Sequence, residues 1–339
     1  MGYRDPVTFS LGTFNCRDFF DDVAPHVIGQ LDREGFNAWA QKRARQLYQR
    51  KVEAVASVVA RMDADVVAFQ EVEGTQVLEA VRAALPEMRY LPAVAGTADQ
   101  RGIACGLLSR FPITAVEVHG VGELSFPSFS EGDPRPFVGR LQSRRGLLEC
   151  SIALPDGSAL TAMVVHLKSP RPVPRLDASG NPLAIDGHYA AAEGATRAMV
   201  LRLAEALHVR SRVEARLHRE GRAHIAVLGD FNDGPDSVVV RAVTGELVEP
   251  PRGRNADLDL ISSLDAGVLH HCVRAAPPGA RHTLLHRGNG LQFDHVLVSK
   301  ALWRRFRGVR VLNESLRESV ESGREEVESD HAAVVARFG

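Results

Sequence analysis

Short apolar runs of strand length constrain the fold of this chain most. Eight of them recur along the chain, at residues 7–14, 66–69, 102–108, 147–154, 160–167, 225–228, 293–298 and 332–338. Apolar runs of about four to eight residues, bounded by polar or turn residues, are typical of buried β-strands. The sequence therefore predicts a protein built mainly on strands.

Two longer segments carry a helical pattern instead. From Trp39 to Met62, and again from Met199 to Leu217, apolar residues recur every three or four positions, which marks one face of a helix. Each segment is followed by a strand-length run, 66–69 after the first and 225–228 after the second. Many strands with few long helices favour a two-sheet core covered by helices.

Two stretches are too irregular for helices or strands. Residues 121–138 contain three phenylalanines and three prolines, and residues 169–194 contain four prolines. Loops of this length are usually functional or disordered. Because no hinge rich in glycine or proline divides the chain, we expect a single domain over residues 1–339 that carries these two long loops.

Charge and composition limit the possible partners. With 41 basic and 42 acidic residues the net charge is −1, so no global positive field attracts a polyanion, and any nucleic acid must be held locally. No apolar run approaches the roughly 18 residues of a membrane span, and four dispersed cysteines predict buried free thiols. We expect a cytoplasmic monomer, although a processed secreted form fits the same sequence.

Polar side chains that strands rarely tolerate follow or interrupt these apolar runs. They are Asn15, Glu71, His166, Asp230 with Asn232, Asp294 with His295, and Asp330 with His331. We expect these side chains to emerge together at one edge of the sheets. Four carboxylates gathered there would repel and raise one another's pKa unless a cation neutralised them. Oxygen ligands without a zinc-like His or Cys spacing predict Mg²⁺ or Mn²⁺.

The order of these residues resembles the endonuclease/exonuclease/phosphatase superfamily. The resemblance runs from about residue 7 to 338 and is carried by Asn15, Gln70-Glu71, His166, Gly-Asp-Phe-Asn-Asp at 229–233, Asp294 and Ser329-Asp330-His331. With Phe19-Phe20-Asp21, the chain is most similar to the deoxyribonuclease-like, bacterial predicted-nuclease branch. The resemblance implies an α+β fold, a four-layered α/β/β/α sandwich with two mainly antiparallel sheets. It also implies a divalent metal at one end of the sheets and hydrolysis of a phosphate ester.

The resemblance assigns roles in metal and substrate binding. Asn15, Glu71 and Asp330 correspond to residues that hold or accompany the metal. Arg144 corresponds to a phosphate-binding arginine, and Lys168 belongs to the His-Leu-Lys pattern of the predicted-nuclease branch. Both are therefore candidates for substrate binding.

Catalytic roles follow from the same resemblance. Asp230 and Asn232 correspond to the pair that orients the attacking water and binds the phosphate. His331 corresponds to the histidine that contacts the scissile phosphate or takes a proton, with Asp294 as the carboxylate behind it. His166 matches the second histidine of the nuclease branches.

One position departs from the pattern of pancreatic-type deoxyribonucleases. In those enzymes a glutamate supports the second histidine from the strand that corresponds to residues 102–108, which is apolar here. Asp99, just before that strand, is the candidate replacement.

Each of these residues also has a purely structural explanation. Glu71 can be a surface acid at a strand end, and residues 230–233 can form a simple turn, because Asp and Asn favour turns. His270-His271-Cys272 is better explained as surface or core, and Arg304-Arg305-Phe306-Arg307 as a solvated face. The residues that carry the resemblance occur in the same order as in the family. This order favours a functional role for them, but not for the other two runs.

Three functions remain open at this point. The first is a divalent-metal-dependent phosphodiesterase, most simply a nuclease acting on DNA or RNA. The second is the same chemistry on a phosphomonoester, an inositol phosphate or a phospholipid headgroup. The third, a non-enzymatic binding protein, is disfavoured because the acid and histidine set is complete.

Overall fold

The structure is a computed structural model of the chain. It describes residues 8–21, 34–99, 101–119, 145–248, 258–318 and 327–339, together with positions scattered through 122–143. The predicted loop at 121–138 and the predicted phosphate-binding Arg144 therefore lie largely or wholly outside the described residues.

The strands and helices of the described residues follow the predicted pattern closely. The strands are β1 (Phe9–Phe19), β2 (Val66–Val72), β3 (Val94–Ala95), β4 (Ala104–Ser109), β5 (Ile113–His119), β6 (Leu147–Ala153), β7 (Ala159–His166), β8 (His224–Asp230), β9 (Leu269–His271), β10 (Leu284–His286), β11 (Asn289–Leu291), β12 (Asp294–Ser299), β13 (Phe306–Leu312) and β14 (Ala333–Phe338). The α-helices are α1 (Glu34–Met62), α2 (Thr75–Ala84), α3 (Gly187–Glu220), α4 (Val238–Thr244), α5 (Leu258–Gly267) and α6 (Lys300–Trp303). Every one of the eight apolar runs overlaps a strand, and both helical patterns lie within helices.

Two six-stranded sheets form the centre of the fold. Their orders are β13-β14-β1-β2-β4-β3 and β5-β6-β7-β8-β12-β9, and β10 and β11 form a separate hairpin. Within the sheets only β1–β2 and β7–β8 are parallel, and the other neighbours are antiparallel. The predicted two mainly antiparallel sheets are thus confirmed.

Three layers of buried side chains hold the sheets and helices together. One apolar cluster, which includes Leu107, Leu148 and Val296, fills the space between the sheets. A second packs α1 and α2 on the outer face of the first sheet, and a third packs α3 and α4 on the outer face of the second. This is the predicted α/β/β/α sandwich. The prediction of one domain over residues 1–339 stays a prediction.

One sequence interpretation was wrong. The irregular stretch predicted for 169–194 ends at residue 186, because α3 begins at Gly187. Prolines concentrated before residue 183 concealed that helix start. The basic run near Arg304 is a largely solvated face, as predicted, because Arg304, Arg307 and Arg310 are exposed. It leads into edge strand β13, and Arg305 and Arg310 bind Asp156 and the carbonyl groups of Arg61 and Met62.

Other structural predictions are confirmed. All four cysteines are free and buried. The His270-His271-Cys272 run belongs to the core as favoured, with His271 and Cys272 both buried.

A glycine sets the spacing of the parallel pair β7–β8 beside the predicted catalytic residues. Gly229 lies opposite Val165 and has a φ of 145°, in the region that favours glycine. A Cβ added there would lie 1.9 Å from the Val165 carbonyl oxygen. Any larger residue would push β8 away from β7, so this glycine fixes the position of Asp230, the next residue.

Candidate functional site

The ends of two parallel strand pairs bring most of the predicted site residues together. Asn15 pairs with Gln70 at the ends of β1 and β2, and His166 pairs with Asp230 at the ends of β7 and β8. Asp230 is also paired with Asp294 at the start of β12. Because the two sheets are stacked, these strand ends meet at one edge of the sandwich.

The carboxylate of Glu71 faces the end of the opposite sheet. Asn15 donates from Nδ2 to Asp230 Oδ2 over 3.1 Å and to Glu71 Oε1 over 3.4 Å. The second oxygen of Glu71 accepts the backbone N–H of Asp18 over 3.0 Å. Glu71 has a φ of 59°, and the β2–β4 register shifts between residues 69 and 72. This bulge interrupts the regular strand pairing and redirects the Glu71 side chain into the site.

Asp230 and Asn232 form one hydrogen-bonded unit. The Asn232 backbone donates to Asp230 Oδ1 over 2.8 Å, and its Nδ2 donates to Asp230 Oδ2 over 3.1 Å and to the Leu167 carbonyl over 3.0 Å. Burial, aided by the charges of Asp294 and Glu71, raises the pKa of Asp230 to about 7. A cation placed beside this buried carboxylate would favour its ionised form. With the oxygens of Glu71 and Asn15 beside it, this set of donors fits a hard divalent ion.

His331 is supported by a buried carboxylate. Its Nδ1 lies 2.7 Å from Asp294 Oδ2, and Asp294 is fully buried. Ser329 fixes the backbone here, because its hydroxyl donates to the Asn15 carbonyl and accepts the His331 N–H. Burial alone would lower the pKa of His331, but the charge and hydrogen bond of Asp294 raise it to about 10. His331 is therefore an imidazolium at neutral pH.

His166 has the opposite protonation state. Its Nε2 lies 3.5 Å from Asp230 Oδ2 and 3.7 Å from Glu71 Oε1. Burial, and then the nearby charges of Arg145 and His331, lower the pKa of His166 well below its usual value. Because His166 is neutral, it adds no positive charge to stabilise the oxygens of a bound phosphate. Two cationic histidines would both do so.

Asp99 does not support His166 as the sequence suggested. It binds Arg101 and Arg145 instead, with Oδ2 at 3.3 and 3.5 Å from their nitrogens. Within the described part of the chain, Nδ1 of His166 has no hydrogen-bond partner. Arg145 contacts His166 at its backbone, where NH1 donates to the carbonyl over 3.4 Å.

A pocket of about 400 Å³ opens over this edge of the sandwich. The predicted residues that line it are Glu71, His166, Asp230, Asn232, Asp330 and His331. Asn15 and Asp294 lie behind them, and Asp330 is 3.5 Å from Arg17. Lys168 does not line the pocket, because its ammonium donates to the backbone and hydroxyl of Ser169 and to the Arg171 carbonyl. Arg145, the neighbour of the predicted Arg144, does line it.

Sequence reasoning did not predict how the Asp230–Asn232 turn is held from behind. Asp233, the next residue, is bound on two sides. Arg202 from α3 donates from Nε to the Asp233 carboxylate over 3.0 Å and from NH1 to the Lys168 carbonyl over 3.0 Å. Arg202 is 4% exposed. It therefore joins the segment after His166 to the segment after Asp230.

Two buried histidines hold the other side of Asp233. His295 Nε2 lies 2.9 Å from the Asp233 carbonyl, and His295 Nδ1 lies 2.7 Å from His271 Nε2. A carbonyl only accepts, so His295 Nε2 carries a proton. Burial lowers the pKa of both histidines, that of His295 to about 4, so both are neutral. His271 Nε2–H must then donate to His295, and both tautomers are fixed.

Replacing Arg202 with lysine should slow turnover and leave the Michaelis constant nearly unchanged. An ammonium cannot span the two partners that the guanidinium joins. We expect a loss of about 10- to 100-fold in kcat, the usual effect of residues that orient a catalytic shell. Steady-state kinetics on bis-p-nitrophenyl phosphate measures it. Arg210→Lys is the matched control, because Arg210 lies on the same helix and binds Glu214 and the Val243 carbonyl. Equal kcat values for the two variants would contradict the role.

A second cluster of acids and histidine lies elsewhere on the second sheet. Glu117, His119 and Glu149 bring ligand atoms within 4.8 Å of one another. Arg212 and Arg216 from α3 already bind these carboxylates, with Arg216 NH2 at 2.9 Å from Glu117. Although burial opposes it, hydrogen bonds from His119 and Arg216 lower the pKa of Glu149 to about 2. The cluster is a partly buried ion-pair network, and none of its members lines the pocket.

No helix within the described ranges is long and apolar enough to cross a bilayer.

Acids lie beside a carboxylate-supported histidine at the edge of two stacked sheets. This arrangement indicates a phosphoester hydrolase. The chain belongs to the endonuclease/exonuclease/phosphatase family, whose model matches residues 35–331. Enzymes of this family hydrolyse phosphoesters and generally depend on divalent metals. The predicted family and the predicted general chemistry, hydrolysis of a phosphoester, are thereby confirmed.

Solved structures show the same fold at low sequence identity. Truncated TDP2 from Caenorhabditis elegans is 15% identical with a TM-score of 0.53, covering 98% of this chain and 97% of that one. A family protein from Bacteroides thetaiotaomicron is 15% identical with a TM-score of 0.54, covering 99% and 98%. A mannosyl-6-phosphatase from Bacteroides thetaiotaomicron VPI-5482 is 17% identical with a TM-score of 0.54, covering 97% and 98%. Curated proteins give no significant match.

Proposed function

We propose that this protein is a divalent-metal-dependent phosphodiesterase and that its substrate is a nucleic acid. The observation that carries the proposal is the meeting of Glu71, Asp230 and Asn15 within hydrogen-bonding distance at the edge of the pocket. A carboxylate whose pKa is raised to about 7 by burial fits a site that takes a cation. Mg²⁺ and Mn²⁺ match these oxygen ligands.

In the proposed reaction, each residue has a separate task. Glu71 and Asn15, with Asp330 at the rim, would hold the metal, which supplies Lewis-acid stabilisation of the phosphate oxygens. Asp230, aligned by Asn232, would orient and deprotonate the attacking water. The His331 cation would stabilise negative charge that develops on the phosphate, as preorganised charges do.

The remaining wall of the pocket supports a nucleic acid as the substrate. Leu284, Leu291 and Phe293 from the β10–β11 region also line the pocket. Leu284 forms a backbone bridge with His331, so this apolar wall lies directly beside the proposed catalytic histidine. An aromatic and apolar surface next to a phosphate site suits a base attached to that phosphate.

A phosphatase acting on a compact phosphomonoester is the second candidate. Four arginines, Arg17, Arg101, Arg145 and Arg171, line the pocket. Guanidinium groups bind the dianion of a phosphomonoester well, and the net charge of −1 gives no long-range attraction for a long polyanion. An inositol phosphate or a phospholipid headgroup belongs to the same candidate class.

A substrate panel with Mg²⁺ or Mn²⁺ separates the two candidates. The panel contains DNA, RNA and bis-p-nitrophenyl phosphate as diesters, with p-nitrophenyl phosphate, inositol phosphates and sphingomyelin as alternatives. We expect EDTA-sensitive hydrolysis with the largest kcat/KM on the nucleic acids. Asp230→Asn, prepared in parallel, should be inactive and so exclude a contaminating nuclease. Activity confined to monoesters would reject the proposal in favour of a phosphatase.

A further inference from the structure

Three arginines form one side of the pocket and are not needed for the proposed reaction. Arg101 follows β3, Arg145 precedes β6 and Arg171 lies after β7, yet all three line the same cavity. Arg145 forms the floor, because its side chain is 7% exposed and donates to the His166 carbonyl. Arg101 and Arg171 are exposed above it.

These guanidinium groups have one ion-pair partner between them. Arg101 and Arg145 share the carboxylate of Asp99, which is 3.3 Å from one and 3.5 Å from the other. Four other acids line the pocket, Asp18, Glu71, Asp230 and Asp330. In the described part of the chain, none of these four lies within ion-pair distance of the three arginines, so the guanidinium groups remain able to bind an anion.

The backbone that carries Arg171 is fixed before any ligand binds. The Lys168 ammonium donates to the carbonyl groups of Ser169 and Arg171, at 2.8 and 3.1 Å. The backbone N–H of Lys168 donates to the buried Glu205 over 2.6 Å, and the Val173 N–H donates to the Gly194 carbonyl over 3.0 Å. Ordering this segment thus costs little when a ligand binds. Lys168 acts as an anchor that presents Arg171.

We infer that Arg101 and Arg171, above Arg145, form a subsite for a second phosphate group on the substrate, next to the phosphate that is hydrolysed. Planar guanidinium groups bind the oxygens of a phosphate monoester in pairs. The three positive charges of these arginines, less the one negative charge of Asp99, match the two negative charges of that phosphate. The substrate class is then a phosphodiester that also carries a terminal phosphate, such as a phosphorylated nucleic-acid end. The inference rests on the proposed function of the same pocket.

One pair of small substrates isolates this second phosphate. Thymidine 5′-(p-nitrophenyl phosphate) and its 3′-phosphorylated form differ only in that group, and both release p-nitrophenol. We expect the phosphorylated form to have a kcat/KM about 10- to 100-fold higher, the effect of one or two charge-assisted hydrogen bonds. A ratio near one in the wild-type protein would overturn the subsite.

Single and double variants locate the effect. Arg101→Gln and Arg171→Gln should each lower the ratio, and the double variant should bring it close to one. Arg175→Gln is the matched control, because Arg175 is an exposed arginine on the same segment that does not line the pocket. It should keep the wild-type ratio. A ratio that survives in the double variant would overturn the assignment to these arginines.

Binding measurements keep the test independent of catalysis. Calorimetric titration should show tighter binding of thymidine 3′,5′-bisphosphate than of thymidine 5′-monophosphate, and the double variant should lose the difference. Titration of an inositol bisphosphate against a monophosphate distinguishes a sugar-phosphate ligand from a nucleotide. Equal affinities in both pairs would overturn the subsite. Absence of hydrolysis on every diester, with the binding preference intact, would reject only the proposed phosphodiesterase.

Discussion

Glu71→Gln should remove divalent-metal binding and nearly all hydrolysis, the largest effect we expect from one substitution. Glutamine keeps the size of the side chain and an oxygen that accepts from Asn15 or Asp18, but it loses the charge. We expect metal affinity to fall by at least about 100-fold, since even residues that only orient a ligand cost about 10- to 100-fold. Turnover should fall by about 10³-fold or more, because a metal supplies several kcal/mol of transition-state stabilisation.

Isothermal titration with Mg²⁺ and Mn²⁺ measures the first effect, and hydrolysis of bis-p-nitrophenyl phosphate measures the second. Glu73→Gln is the matched control, because it removes a carboxylate two residues away that binds the Asp21 N–H and does not line the pocket. The control should bind metal as the wild type does. Unchanged metal affinity in Glu71→Gln would show that the cation is held elsewhere.

The sequence was most informative where hydrophobic runs end in polar residues. Strand β8 ends in Asp230, which is buried, and a buried acid after a fully apolar run has few structural explanations. The same logic located Glu71 and His166 at the ends of β2 and β7. Since strand ends of stacked sheets meet at an edge, position along the chain was enough to predict proximity.

Side-chain direction was not predictable in the same way. Arg144 and Arg145 are adjacent and identical, and only the structure shows that Arg145 lines the pocket. Lys168 follows the predicted His-Leu-Lys pattern, yet its ammonium bends back to the loop backbone. A pattern gives the residue type, but the rotamer depends on the acceptors that the fold places nearby.

The sequence singled out His295 as a polar residue in an apolar run, but it did not reveal the role of the residues that act from behind the site. His295 follows Asp294 within an apolar strand, and Arg202 lies on a helix that carries many other arginines. Each supports the site by binding Asp233, and the fold brings both residues to Asp233 from distant parts of the chain. The fold could thus be predicted from local patterns, whereas these supporting contacts depend on tertiary structure.

Replacement of His331 should slow turnover strongly without unfolding the protein. His331→Ala removes the cation beside the phosphate, and we expect a loss of about 10²- to 10⁴-fold in kcat, the usual range for positioned acid–base groups. His218→Ala is the control. His218 is exposed on α3, and its Nδ1 lies 2.8 Å from the Glu214 carbonyl of the same helix. Near-normal turnover in a folded His331→Ala protein would refute the role.

The pH profile then tests the part played by Asp294. The pKa of His331 is raised to about 10, so the imidazolium is present at lower pH and is lost as the pH rises through that value. Activity that needs this cation should fall on the alkaline side. In Asp294→Asn the carboxylate that raises the pKa is gone and burial lowers it, so the alkaline decline should move to lower pH. Rate profiles of both proteins between pH 6 and about 10, at saturating metal, measure the shift. Superimposable profiles would mean that His331 acts in its neutral form or that another group sets the alkaline limb.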